Sequence, residues 1–130
     1  MPGTKQDYIN YRVQKSKEVF DDAILLANNQ RWNSCINRLY YSSYYLISAL
    51  LYLHEIKAET HNGTKTQFNL NFVKSGKIDL KQGKLYSNLF LWRQESDYSD
   101  FTDFDENTVA PFIQEVAEFN NQLLNLLEVS

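Results

Sequence analysis

Between Trp32 and Leu53 the side chains Cys35, Ile36, Leu39, Tyr40, Ser43, Leu46, Ile47, Leu50 and Leu51 recur at helical spacing. The stripe they form is too broad for a helix covered on one side. This segment is therefore a central helix, packed on more than one face. A chain built around such an element needs other helices to cover it, and the rest of the sequence supplies them. From Gln6 to Asn28, Val19, Phe20, Ala23, Ile24, Leu26 and Ala27 cluster at the same spacing, and Asn28-Asn29 gives a stop. The polar run Glu55 to Asn62 ends in Gly63 and reads as a loop. Thr64 to Lys74 reads as a short third helix with Phe68, Phe72 and Val73 on its apolar side, closed by Ser75-Gly76-Lys77. A fourth helix is expected from Leu80, carrying Leu85, Leu89, Phe90 and Trp92 into Arg93, with Ser99 to Asp105 irregular after it. Proline is tolerated only in a first helical turn, so Pro111 places the N-cap of the last helix at Asn107 or Thr108. Phe112, Ile113, Val116, Phe119, Leu123, Leu126 and Leu127 then repeat at three-four spacing.

The expectation is an all-α, up-and-down antiparallel bundle of four to five helices, in one domain spanning residues 1–130. Four glycines and two prolines are too few for a sandwich or barrel with many tight turns. The aromatic share of 15% calls for a core or an interface rich in rings. A net charge of -3 gives no general basic field, so any polyanion has to bind at a local cationic cleft. Cys35, the single cysteine, has no internal disulfide partner and is expected as a buried or half-buried thiol of an intracellular chain. Met1 to Tyr11 is polar and mixed in charge, unlike a signal peptide, and the apolar segment around Leu46 to Leu53 is too short to span a bilayer. A cytoplasmic protein with no membrane association is expected.

Two groups of side chains could carry chemistry. On the central helix, Asn37, Arg38, Tyr41, Ser42 and Tyr45 line an edge beside the apolar stripe. Arg38 offers a forked cation to a phosphate or carboxylate; alternatively it forms a structural ion pair beside packed rings. On the fourth helix, Arg93 and Asp97 stand four residues apart and Tyr98 follows. They form either an ordinary intrahelical pair or a phosphate site, with Asp97 as orienter or proton acceptor and Tyr98 as donor or modification acceptor. His54 and His61 lack clustered Cys or carboxylate partners, so no metal site is expected. There is no glycine-rich phosphate loop and no Ser-His-Asp order, and no cofactor is expected.

The run Arg31-Trp32-Asn33-Ser34-Cys35-Ile36-Asn37-Arg38-Leu39-Tyr40-Tyr41-Ser42-Ser43-Tyr44-Tyr45 resembles the central-helix motif of HEPN domains. Thr60-His61-Asn62-Gly63 resembles the His-x-Gly turn that opens the next helix in one branch of that family. Arg93-Gln94-Glu95-Ser96-Asp97-Tyr98 resembles the branch's Arg-x-x-x-Asp-Tyr signature. The branch is the bacterial one related to the C-terminal HEPN domain of sacsin. The resemblance implies a homodimer whose second and fourth helices face a shared cleft. Asn37, Arg38, Tyr41, Arg93, Asp97 and Tyr98 would line that cleft, with His61 at its rim. It also implies a nucleotide or RNA ligand and a minimal nucleotidyltransferase partner, as in toxin-antitoxin pairs. Active toxins of the family are metal-independent ribonucleases with an Arg-x(4-6)-His motif. Here Tyr98, Ser99 and Asp100 occupy the positions where that histidine should fall. Three readings follow: a ligand-binding module, a ribonuclease using Arg93 with Asp97, Tyr98 or His61, and a non-enzymatic dimeric assembly module. In the first, Tyr98 could also accept an adenylyl group from the partner.

Overall fold

A computed structural model describes residues 3–98 and 103–129, apart from the side chains of Tyr98 and Val129. Among the described residues the regular elements are all helical: α1 (Lys5–Asn28), α2 (Trp32–Leu53), α3 (His61–Phe68), α4 (Leu80–Tyr98) and α5 (Glu106–Val129), with a π-helical turn, Asn69–Val73, continuing α3. Helix α2 is central and packs against all four of the others. Tyr8 meets Tyr52 and Ser16 meets Ser42, so α1 runs antiparallel to α2. Asn37 meets Asp97 and Tyr40 meets Tyr86, which makes α4 antiparallel to α2 as well. Tyr86 against Phe119 and Trp92 against Phe112 set α5 antiparallel to α4. No helix among the described residues is long and apolar enough to cross a membrane.

The centre is ring-rich, as the composition requires. Tyr40, Phe68, Tyr86 and Phe119 are all fully buried. Phe68 lies edge-on to Tyr86 and Phe119 at 5.8 and 5.9 Å, and Tyr40 stacks on Tyr86 at 5.6 Å. One turn further along α2 the packing is polar. Ser16 Oγ donates to the Ser42 carbonyl, Ser43 Oγ donates to Asn120 Oδ1, and Asn120 Nδ2 donates to Ser42 Oγ. These buried groups satisfy one another and tie α1, α2 and α5 together. Inside α4, Gly83 is a point of close approach: a Cβ there would stand 2.9 Å from Val73 Cγ1 of the π turn. Cys35 is fully buried, and burial pushes its thiol up to about 11.

Capping explains where the observed ends depart from expectation. Thr60 Oγ1 accepts from the Gly63 backbone N–H, so α3 starts at His61, inside the segment expected to be loop. Asp105 Oδ1 accepts from the Thr108 N–H, and the Thr108 side chain, followed by that backbone bond, holds its carboxyl below the usual carboxylate range. Helix α5 therefore begins at Glu106, ahead of the expected caps at Asn107 and Thr108. Pro111 is carried within the helix on its exposed side. Part of the expected irregular segment, residues 99–102, lies outside the described residues.

Helices α1 and α2 both end with a left-handed residue that is not glycine: Gln30 and Glu55, each at φ 59°. At the second, the Ile56 N–H reaches the Leu51 carbonyl and the Glu55 N–H reaches that of Tyr52, a Schellman closure. A side chain in this conformation carries a steric penalty that glycine lacks. Glu55→Gly is thus expected to raise stability by up to about 1 kcal/mol, read as a higher urea midpoint at unchanged slope. A lower midpoint would contradict this account of the turn.

Candidate functional site

Because α2 and α4 run antiparallel, the polar edge near the start of α2 faces the end of α4. Asn37 Nδ2 donates to both oxygens of Asp97, at 3.2 and 3.3 Å. Its Oδ1 accepts from Arg38 Nε and Nη2, at 2.9 and 2.6 Å. On α4 itself, Arg93 Nη1 stands 3.6 Å from Asp97 Oδ2. The result is a row Arg38–Asn37–Asp97–Arg93, two guanidinium groups against one carboxylate. A cleft of about 470 Å³ opens along the Arg38–Asn37–Asp97 part of the row, with Leu26, Asn33, Ser34 and Ser96 completing its wall, and Arg93 stands behind Asp97. Arg38 lies over the Tyr41 ring at 5.2 Å.

Arg93 differs from Arg38 in being only 6% exposed. Its guanidinium lies over the Tyr40 ring, 5.0 Å from the centroid. Among the described residues its buried Nε has no hydrogen-bond partner. A buried cation with one long ion pair and an unmatched donor is uncommon in a folded interior, and its contact with the Tyr40 ring offsets only part of its desolvation.

Tyr40 links Arg93 to His61. The Tyr40 hydroxyl and His61 Nδ1 are 2.8 Å apart, and the Tyr86 hydroxyl donates to that of Tyr40 at 3.4 Å. Burial pushes the Tyr40 phenol up to about 12, and the Tyr86 phenol also well above its ordinary value, so both stay protonated at neutral pH. Run in the direction Tyr86 to Tyr40 to His61, the chain makes Nδ1 an acceptor and leaves the imidazole hydrogen on Nε2. The His61 ring also packs on Tyr44 at 4.5 Å and edge-on to Tyr41 at 5.7 Å. It stands at the first turn of α3, half-buried, where the sequence alone suggested a loop residue.

Burial, and then the nearby Arg93 cation, hold the His61 pKa below its usual value. The neutral ring is therefore the favoured form in the fold, whereas the unfolded chain takes up a proton near pH 6.5. This contribution to stability is complete above about pH 6.5 and is lost as pH falls through that value toward the depressed one. His61→Gln is expected to flatten the slope of stability against pH between about 7 and 5, measured by urea unfolding at each pH. An unchanged slope would refute the assignment.

Of the residues singled out from sequence, Asn37, Arg38, Asp97 and Arg93 form one continuous row, and Tyr41 and His61 join it through Arg38, Tyr40 and Arg93. Tyr98 ends α4, and its side chain lies outside the described residues. Ser42 and Tyr45 do not belong to the cleft: Ser42 is buried against Asn120, and Tyr45 lies under Arg12 of α1. Tyr40 and Tyr86 are the members that sequence reading missed. Tyr40 sits within the apolar stripe, and the signal was there in kind: a buried phenol has to find a partner for its hydroxyl.

Comparison with known proteins gives a consistent picture. The HEPN domain profile matches residues 9–126. A UPF0332 protein of Thermotoga maritima is 36% identical over 95% of this chain and 94% of its own length. Two Methanocaldococcus jannaschii proteins, each named "Putative toxin", are 27% and 24% identical. The alignments cover 66% and 72% of this chain, and 58% and 70% of those proteins.

Proposed function

The chain belongs to the HEPN domain family, and from that premise we propose that it binds a nucleotide or RNA phosphate at the α2/α4 cleft as the toxin-type half of a two-protein system. One observation carries the reading: Arg93 is a buried cation whose Nε is unmatched, set between a surface carboxylate and the Tyr40–His61 pair. Arg38 would offer its fork to a phosphate oxygen in the cleft, and the Arg93 cation behind Asp97 would offset that carboxylate's charge. The word toxin in the names of two relatives supports the toxin-type reading, and the partner proposed for it is a minimal nucleotidyltransferase. Two copies of the chain would bring two such rows to one shared cleft.

Titration with a nucleotide and with a single-stranded RNA oligonucleotide tests this. Wild type is expected to bind, Arg38→Ala to bind more weakly, and Arg93→Ala to lose most of the affinity. Equal affinities in all three proteins would remove the cleft from that role.

A second reading, ribonuclease, draws on the position of His61. The Arg-x-His spacing has no imidazole here, yet Tyr40 touches both Arg93 and an imidazole of the same chain. With its hydrogen on Nε2, the neutral His61 ring would donate a hydrogen bond to a phosphate oxygen, and the departing 5′-oxygen would take its proton from water. Incubation with total RNA decides: cleavage that is absent, or that survives Arg93→Ala, eliminates this reading and leaves binding.

A further inference from the structure

A second hollow lies across Tyr44 from His61. It has a volume of about 530 Å³, in the range of small-ligand sites, and is formed by the start of α1, the end of α2 and the segment leading to α3. Two of its walls are rings: Tyr8 and Tyr52 have centroids 4.2 Å apart, and Tyr52 is 42% exposed. Arg12 is the fixed cation of the site. Its guanidinium lies between the Tyr8 and Tyr45 rings, at 5.0 and 5.4 Å, and its Nε donates to the Tyr8 hydroxyl at 3.0 Å. No carboxylate pairs with it among the described residues.

The remaining charges nearly cancel, since Lys5 and Lys57 face Glu55 and Glu59 around the rim. A hollow of this kind suits a flat ring with one attached anion and does not suit a polyphosphate. Exposed rings beside a cation are the usual platform for an unpaired base. The hollow also adjoins the site already described. Tyr44 lines it on one side and meets His61 at 4.5 Å on the other, and Thr64 of its wall lies one helical turn beyond His61.

We propose that this hollow is a nucleobase subsite for single-stranded RNA: one base stacks on Tyr52, its own phosphate pairs with Arg12, and the strand runs on for a few nucleotides to the cleft at the other end of α2, about 20 Å away. The inference rests on the phosphate-binding reading of that cleft and adds the class of polymer it takes. A base held here means that the ligand extends past a mononucleotide, so a short single strand binds more tightly than its parts.

The test is fluorescence anisotropy with a labelled single-stranded RNA 10-mer, alongside calorimetry with inorganic pyrophosphate, on the full chain. Tyr52→Ala and Arg12→Ala are each expected to weaken the 10-mer about tenfold, the effect of losing roughly 1.4 kcal/mol of stacking or pairing. Both should leave pyrophosphate affinity unchanged, whereas Arg93→Ala should weaken both ligands. Tyr52→Phe should retain the 10-mer, because stacking needs the ring and not the hydroxyl. If Tyr52→Ala and Arg12→Ala bind the 10-mer like wild type while Arg93→Ala does not, the subsite is wrong and the cleft stands. If Arg93→Ala binds both ligands like wild type, the cleft itself is wrong and the subsite falls with it. Circular dichroism confirms folding of each variant. Tyr52→Phe guards the ring argument independently, since loss of the 10-mer in that variant also overturns it.

Discussion

Phe119→Ala is expected to destabilise the protein by about 3–5 kcal/mol, the range for removing a large ring from a core that cannot close the gap. Phe119 is fully buried on α5 and packs edge-on to Phe68 and at a tilt to Tyr86. It therefore joins three helices at once. Neither neighbour can follow a receding side chain, because Tyr86 is held by Tyr40 and Phe68 by Phe72. Domains of this size are stable by only about 5–15 kcal/mol, so the variant should lose some 10–20 °C of melting temperature. Urea unfolding monitored by circular dichroism measures it. A loss under about 1 kcal/mol would mean that the ring cluster does not close the core as described.

Arg93→Met is expected to separate stability from binding. Methionine fills nearly the same space and keeps a contact with the Tyr40 ring, but it removes the buried charge and its unmatched Nε. The pair with Asp97 contributes little, since it is long at 3.6 Å and the Asp97 side chain keeps part of its surface, 30%, in solvent. Stability should therefore stay within about 1 kcal/mol of wild type or rise, as when buried charges give way to apolar side chains. Phosphate affinity should fall by about 2–4 kcal/mol, roughly 30- to 1,000-fold in Kd. Unfolding curves and a nucleotide titration on one preparation read both quantities. A large loss of stability would recast Arg93 as a structural residue. That finding would count against the cleft more directly than weak binding alone.

The sequence was informative wherever one period governed a segment. Helix α2 has the bounds its stripe announced, Trp32 to Leu53, because every fourth or third side chain is committed to the core. The starts of α3 and α5 were hidden for an opposite reason: each depends on a single capping oxygen, Thr60 Oγ1 or Asp105 Oδ1, which outweighs the local pattern. The site was legible as two separate edges. Asn37 and Arg38 could be placed on α2 and Arg93 and Asp97 on α4, but their meeting depends on the antiparallel register, which no local spacing encodes. Tyr40 was the least legible member. In the sequence it counts as one more apolar position, and only in three dimensions does its hydroxyl reach His61 while its face meets Arg93.

The serine-asparagine network one turn along α2 from Arg38 has a consequence for the cleft. A helix held only by aliphatic side chains can slip along its axis at little cost, because one methyl contact substitutes for another. Helix α2 has no such freedom: a shift would leave Ser42, Ser43 and Asn120 without partners in a dry interior. The helix is keyed along its length, like a shaft in its slot. The spacing between Asn37 and Asp97 is thereby set by residues that never touch a ligand, and the lining of the cleft can vary while its width holds constant.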